Sequence, residues 1–154
     1  MSTTPTPPPS GEEQRLTFRL LSYWNRIRGD KPLPALADVN IQEIQEMWYF
    51  TFTISLGNMP EDHSFHYFGS KLADMFGNDY SGEMLESALK DLMIENTIGF
   101  YEKVVAARAP VSESSSFYLE GKEARYRSLI VPLSSDGQTI DYLLGTTNYK
   151  IFDA

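Results

Sequence analysis

Residues 48–55 read Trp-Tyr-Phe-Thr-Phe-Thr-Ile-Ser, and this stretch decides the fold class. Its large apolar side chains occupy every second position, which is the pattern of a β-strand with one buried face. The segment 57–62 contains Gly, Asn and Pro, which favour a turn. The run Phe-His-Tyr-Phe at 65–68 is again typical of a strand. We therefore predict that the two strands form an antiparallel hairpin.

Three further candidate strands lie in the last third of the chain, at 111–119, 124–133 and 139–151. Asp136-Gly137, between the last two, predicts a type I′ hairpin turn, because that turn needs a positive φ at both central residues. Positions 84–107 carry apolar residues at helical spacing and predict one long helix. This order predicts an α+β domain, with helices on one face of a five-stranded antiparallel sheet.

The N-terminal part divides into a tail, a helix and a linker. Residues 1–11 are rich in Pro and Thr and predict a disordered tail. We assign 12–46 to an N-terminal helix and linker, and 47–154 to the sheet-containing core. The helix is expected to end at Gly29, since Pro32 then prevents its continuation. Its apolar residues recur at intervals of four, four and three and form one stripe. The members of this stripe are Leu16, Leu20, Trp24 and Ile27.

Length and composition indicate one globular domain and exclude several classes of function. The 154 residues are enough for one core, and 42% of them are hydrophobic. The net charge of −8 repels phosphate groups, which argues against nucleic acid and anionic membranes as partners. The longest apolar stretch, 47–56, is too short to span a bilayer. The chain contains no cysteine, so disulfides are excluded, and we expect a cytoplasmic location.

Several short motifs follow one another along the chain in a distinctive order. They are Tyr23-Trp24, Arg28-Gly29, Ala37-Asp38-Val39, 65–70, 75–82, 129–133 and 143–145. In this order and spacing they resemble the PAS domain, and more specifically a bacterial family of small, often stand-alone PAS proteins. The resemblance spans Leu16 to Ile151. It departs at His66, where a basic residue is expected, and at Lys71, where a small one is usual.

The resemblance implies a sensory or signalling domain without catalytic activity, with a PAS-like sheet and an N-terminal helical extension. PAS domains hold flavin, haem, a small metabolite or nothing between the sheet and the helices, and they commonly dimerise through the N-terminal helix. We therefore expect a homodimer formed by the stripe of residues 16–27, acting on a separate signalling protein. A ligand-free, dimeric interaction module is the alternative.

A ligand would lie against the predicted inner surface of the sheet and the helices. The residues expected there are Phe50, Phe52, Phe65, Tyr67, Ile98 and Tyr101, with Tyr126, Ser128 and Asn148 as further candidates. The same side chains could equally fill one another's space as an ordinary core, because protein interiors are close-packed. The sequence does not identify a cofactor or the small molecule.

Residue types limit the chemistry that the chain could perform. Without cysteine, flavin photochemistry by adduct formation is excluded, and we expect no metal site. His66 could in principle hold haem, but strand alternation predicts that Phe65 and Tyr67 face inward instead. A small acid/base enzyme would need a buried Asp beside a Tyr. The candidates for that pairing are Asp91 or Asp141 with Tyr101 or Tyr142.

Overall fold

The structure of the chain, a computed structural model, describes residues 12–152 and has a five-stranded antiparallel sheet at its centre. The predicted tail, 1–11, lies outside the described residues. The strands run in the order β2-β1-β5-β4-β3. Their bounds are β1 Thr51–Ser55, β2 Ser64–Phe68, β3 Val111–Leu119, β4 Lys122–Leu133 and β5 Tyr142–Phe152. The predicted α+β class and the β1–β2 hairpin are therefore confirmed.

The helices fall before β1 and between β2 and β3. They are α1 Glu12–Arg28, α2 Gln45–Trp48, α3 Ser70–Phe76, α4 Leu85–Ala88, α5 Leu92–Ile98 and α6 Tyr101–Ala107. Short 3-10 helices lie at 36–38, 41–44 and 60–62. The single long helix predicted for 84–107 is wrong. Asp91 breaks it, because its carboxylate accepts a hydrogen bond from the amide of Met93 at 2.9 Å and so starts a new helix.

Helices cover the sheet on both faces. Cross-strand partners share a face and consecutive residues alternate, so Phe52, Gly145 and Ile130 lie on what we call the inner face. The inner face contacts α3, where the Tyr149 hydroxyl donates to the carbonyl of Met75 at 2.5 Å, and also contacts α5 and α6. The opposite, outer face is covered by α1 and by the linker, residues 29–46.

The predicted helix α1 is confirmed, and its apolar stripe packs on the chain's own sheet. Leu16, Leu20 and Trp24 are only 8%, 0% and 5% exposed, and Ile27 is partly buried against the same core. The Trp24 indole donates to the carbonyl of Pro132 in β4 at 2.8 Å. The expectation of a stripe available to a second chain is corrected accordingly: a dimer formed by these four residues requires α1 to leave the sheet. Dimerisation itself stays a prediction.

Several strand boundaries and one turn differ from the sequence-based expectation. Strand β1 begins at Thr51, because Trp48 ends α2 and Phe50 lies in the turn between them. The loop 134–141 joins β4 to β5, and in the Asp136-Gly137 pair only Gly137 has a positive φ. The Asp136 carboxylate instead accepts from the amides of residues 138 and 139 at 2.8 Å. Two consecutive positive φ values, 52° and 81°, occur at Glu120-Gly121, between β3 and β4.

Candidate functional site

The inner face carries a closely packed aromatic core. The rings of Phe52 and Phe65 meet edge to face with their centroids 5.9 Å apart, and neither side chain is exposed. The Phe52 ring lies over Gly145, where a Cβ would overlap the ring and come within 2.9 Å of the carbonyl oxygen of Leu129. Ile98 and Tyr101 belong to the same buried cluster. Four of the predicted ligand residues are therefore core residues, and the Phe52 ring itself fills the space over Gly145.

The polar groups of the inner face are paired with one another. The Tyr101 hydroxyl lies 3.4 Å from Nδ1 of His63. The Tyr126 hydroxyl donates to Glu113 at 3.1 Å, and burial together with this carboxylate raises the pKa of Tyr126 to about 12. Ser128 shares a 2.6 Å hydrogen bond with Thr147. Tyr126 and Ser128 therefore lie on the predicted face, but their polar atoms already have partners.

Tyr67 lies on the outer face, so the expectation that it points inward with Phe65 is wrong. The pairing of β1 with β2 shifts register, with Thr53 opposite Tyr67 and Ile54 opposite Phe65, which leaves His66 as an extra residue in a β-bulge. The Tyr67 ring stacks on Trp48 at a centroid distance of 4.5 Å, and its hydroxyl donates to the Trp48 carbonyl at 3.1 Å. A prediction from sequence alternation assumes an unbroken strand, so it cannot reveal that the bulge turns Tyr67 to the outer face.

The bulge helps to form a groove between the outer face and the linker, which we call the linker groove. It has a volume of about 320 Å³. It is lined by Leu36, Val39, Ile41, Trp48, Thr53, His66 and Tyr67. Thr53 is 1% exposed, and its Oγ1 makes no hydrogen bond within the described part of the chain. A buried hydroxyl without a partner is costly, and it usually has a structural or functional reason.

Beyond the region covered by α1, no element that the structure describes packs on the outer face of β3, β4 and β5. We call this area the distal face. It consists of Ser112, Ser114, Ser116, Tyr118, Glu123, Arg125, Arg127, Asn148, Lys150 and Phe152. The Arg125 guanidinium lies over the Phe152 ring at 4.4 Å and pairs with Glu123 at 3.2 Å. A groove of about 400 Å³ runs between these side chains. Sequence reasoning missed the distal face, because the position of α1 decides which part of the sheet stays uncovered.

The Asp-Tyr pairs considered for acid/base chemistry do not form. The Asp91 carboxylate accepts a hydrogen bond from Tyr80 and caps α5, and burial and this bond raise the pKa of Tyr80 to about 12. The Asp141 carboxylate accepts from Ser135 at 2.5 Å, and the Tyr142 ring packs against His66. Within residues 12–152, no three His, Cys, Asp or Glu residues converge to hold a metal.

The sheet order, the helical segment between β2 and β3, and the covered inner face define a PAS-like α+β domain. A family model described as "PAS domain" matches residues 13–148, and the chain therefore belongs to the PAS domain family. Comparison with curated proteins gives no match. The described helices include none that is long and apolar enough to cross a membrane.

Solved structures share this fold at low sequence identity. A double variant of Vivid is 15% identical, with a TM-score of 0.50, and the match covers 96% of this chain and 99% of that one. A single-site variant of the fungal photoreceptor VVD gives 13% identity, a TM-score of 0.50, and coverage of 95% and 99%. The PAS domain of Bordetella pertussis BvgS gives 11% identity, a TM-score of 0.44, and coverage of 73% and 88%. The likeness to the Vivid structures extends over nearly the whole chain and shows the fold.

Proposed function

We propose that this chain is a PAS signalling module that acts through protein–protein contact at the distal face and catalyses no reaction of its own. PAS domains are generally sensory, non-catalytic modules, so a signalling role follows from the family. The observation that carries the proposal is the distal face, the part of the outer face on which no described element packs. Tyr118 and Phe152 there are 75% and 38% exposed, and such apolar surface commonly marks an interaction site.

The charge of the distal face points to an acidic partner. Arg125 and Arg127 lie there, and Glu123 is the carboxylate among the residues that define the face, in a chain whose net charge is −8. Arg127 is partly buried, and its guanidinium pairs with no other group that the structure describes. Arg is enriched at protein interfaces because its planar guanidinium can bind a carboxylate through two hydrogen bonds. A partner segment with carboxylates beside an apolar side chain would complement this surface.

The packing of the inner face favours contact over ligand sensing. The Phe52 ring occupies the space above Gly145, and the neighbouring Phe65 is fully buried. A ligand seated there would have to displace this ring and lose its packing. Signalling through the distal face needs no such rearrangement.

Paired charge reversals test the proposal. The double variant Arg125→Glu/Arg127→Glu changes the charge of the distal face, whereas Lys71→Glu/Lys90→Glu makes the same change at exposed positions elsewhere. We expect a partner captured by the wild-type chain from its own cells to be lost with the first variant and kept with the second, and rising salt to weaken the capture. Equal capture by both variants would exclude the distal face as the binding surface.

A ligand at the inner face is the second candidate function, and the polar groups there favour it. Tyr101, Tyr126 and Ser128 place hydroxyl groups on an otherwise apolar surface, where they could exchange their present partners for a polar ligand. Native mass spectrometry and an absorption spectrum of freshly purified protein decide between the candidates. A bound mass or a chromophore would favour the sensor, and the bare polypeptide mass would favour contact signalling.

The sequence-based expectations of a cytoplasmic location, a homodimer and membership of the small bacterial PAS family remain part of this proposal. The absence of cysteine supports a cytoplasmic location. The exposed surface of the distal face offers a contact area for a homodimer. Light scattering measures the mass in solution directly.

A further inference from the structure

We propose that the linker groove is a second ligand site, on the opposite side of the sheet from the inner face, for a small neutral aromatic molecule with one hydrogen-bond acceptor. Its volume of about 320 Å³ fits a single substituted ring. The proposal is independent of contact signalling at the distal face, because the two surfaces share no residue.

The buried hydroxyl of Thr53 supplies the polar anchor. The side chain lines the groove, is 1% exposed, and its Oγ1 has no partner among the described residues. Thr146, also a buried threonine of the outer face, donates its hydroxyl to the Phe50 carbonyl at 2.8 Å. The contrast indicates that burial alone does not leave a threonine unsatisfied in this sheet. The chain closes this oxygen to solvent, so a ligand oxygen would reach it by a small shift of the neighbouring side chains and would give the Thr53 hydroxyl the acceptor it lacks.

The rest of the groove selects an apolar ring. The stacked rings of Trp48 and Tyr67 form one wall, and the bulge at His66 turns Tyr67 towards it. Aliphatic side chains of the linker form the other wall, namely Leu36, Val39 and Ile41. The lining includes no carboxylate, Lys or Arg. A charged ligand would therefore lack a counter-charge, apart from His66 at the exposed rim.

The linker wall is held in place before a ligand arrives. The backbone amide of Asn40 donates to the Tyr23 hydroxyl of α1 at 2.7 Å, and the Asn40 side chain accepts from the amide of Gln42 at 3.1 Å. The Asp38 carboxylate accepts from the amide of Ala35 at 2.8 Å and pairs with Lys31. A wall fixed in this way loses little entropy on binding, which is the general advantage of a preorganised site.

Acetophenone is a suitable probe, and ethylbenzene, which has the same ring without the carbonyl oxygen, is its matched control. The chain has two tryptophans, so a ¹⁵N-labelled sample gives two indole N–H signals, which Trp48→Phe assigns. We expect acetophenone to shift the Trp48 signal saturably and to leave Trp24, whose indole is bonded inside the core, unchanged. Ethylbenzene should bind more weakly.

Variants then test the anchor. Thr53→Val keeps the side-chain shape and should weaken acetophenone binding roughly fivefold, the loss of one hydrogen bond, without affecting ethylbenzene. Thr146→Val should affect neither probe. Ile41→Trp, at a position 47% exposed, should fill the groove and abolish binding of both probes, which keeps the test available if Thr53→Val does not fold. The proposal is overturned if Trp48 shows no saturable shift, if ethylbenzene binds as tightly as acetophenone, or if Thr53→Val weakens both probes equally.

Discussion

Thr53→Val and Thr146→Val should change stability in opposite directions. Both threonines are buried on the outer face, at 1% exposure each, and valine has the same branched shape and a similar strand preference. The Thr53 hydroxyl has no partner in the described part of the chain, whereas the Thr146 hydroxyl donates to the Phe50 carbonyl. Removing the first relieves a desolvation cost, and removing the second discards a hydrogen bond and leaves a carbonyl without its donor.

The magnitudes follow from the cost of an unsatisfied buried polar group. Thr53→Val should raise the free energy of unfolding by about 1 kcal/mol, and Thr146→Val should lower it by about 1–2 kcal/mol. For a chain of this length, each kcal/mol corresponds to a change in Tm of about 2–4 °C. Urea unfolding with an unchanged m-value is the measurement that isolates these differences. If Thr53→Val destabilises the protein as much as Thr146→Val, the Thr53 hydroxyl has a partner, such as a bound water, and the reasoning fails.

Three further perturbations test the packing and the charges of the fold. Gly145→Ala places a methyl group against the Phe52 ring. It should lower the free energy of unfolding by about 1–3 kcal/mol, measured as a lower Tm. An unchanged Tm would contradict the close packing of the Phe52 ring over Gly145. The pKa of Tyr80 is raised from 10.0 to about 12, so the folded state keeps a proton that the unfolded state loses. Stability should therefore fall as pH rises from about 10 towards 12, and Tyr80→Phe should reduce this slope in urea titrations. Leu20→Glu places a carboxylate at a fully buried position of α1 and should lower the free energy of unfolding by about 3 kcal/mol or more. Phe18→Glu is its control, since this position is 67% exposed, and should change that free energy by about 0.5 kcal/mol at most. Equal thermal melts of the two variants would mean that α1 does not pack on the sheet.

The sequence predicts those elements whose pattern is local. Helix α1 follows from one stripe with a glycine stop, and β1 and β2 follow from short apolar runs separated by turn residues. The single helix predicted for 84–107 fails because buried residues continue across α4, α5 and α6, while the Asp91 side chain starts a new helix between α4 and α5. Apolar periodicity shows which residues face the core. It does not reveal a break between two helices when the residues on both sides of the break still face the core.

The candidate site was harder to predict from the sequence than the secondary structure. Which residues line it depends on a β-bulge in β2 and on where α1 packs on the sheet. Phe52, Phe65 and Ile98 are buried core residues, as the apolar patterns of their elements predict, and their role as ligand contacts stays a prediction. Tyr67 was misplaced because one extra residue in β2 reverses every later side chain in the strand. The distal face depends on how much of the sheet α1 covers, which is a property of tertiary packing and not of any one segment.

Tyr23 connects the linker groove to α1, and its substitution tests whether the groove depends on that connection. The hydroxyl accepts the Asn40 amide at 2.7 Å, in the linker wall beside Val39 and Ile41. Tyr23→Phe removes this acceptor while keeping the ring, so it should lower stability by about 1 kcal/mol. Hydrogen exchange should speed up more at Asn40 than at the amide of Val131, which lies deep in the sheet and exchanges only as fast as the lowered global stability allows.

The same variant should also weaken acetophenone binding, because a mobile wall must be ordered when the ligand binds. Faster exchange at Asn40 with unaltered affinity would mean that the linker is held but that the groove does not depend on it. Unaltered exchange at Asn40 would mean that the Tyr23 bond does not hold the linker. If both change together, α1 responds to the contents of the groove, since the coupling between wall and helix acts in both directions. Because α1 lies beside the distal face, that result would link ligand binding on the outer face to the surface proposed for the partner.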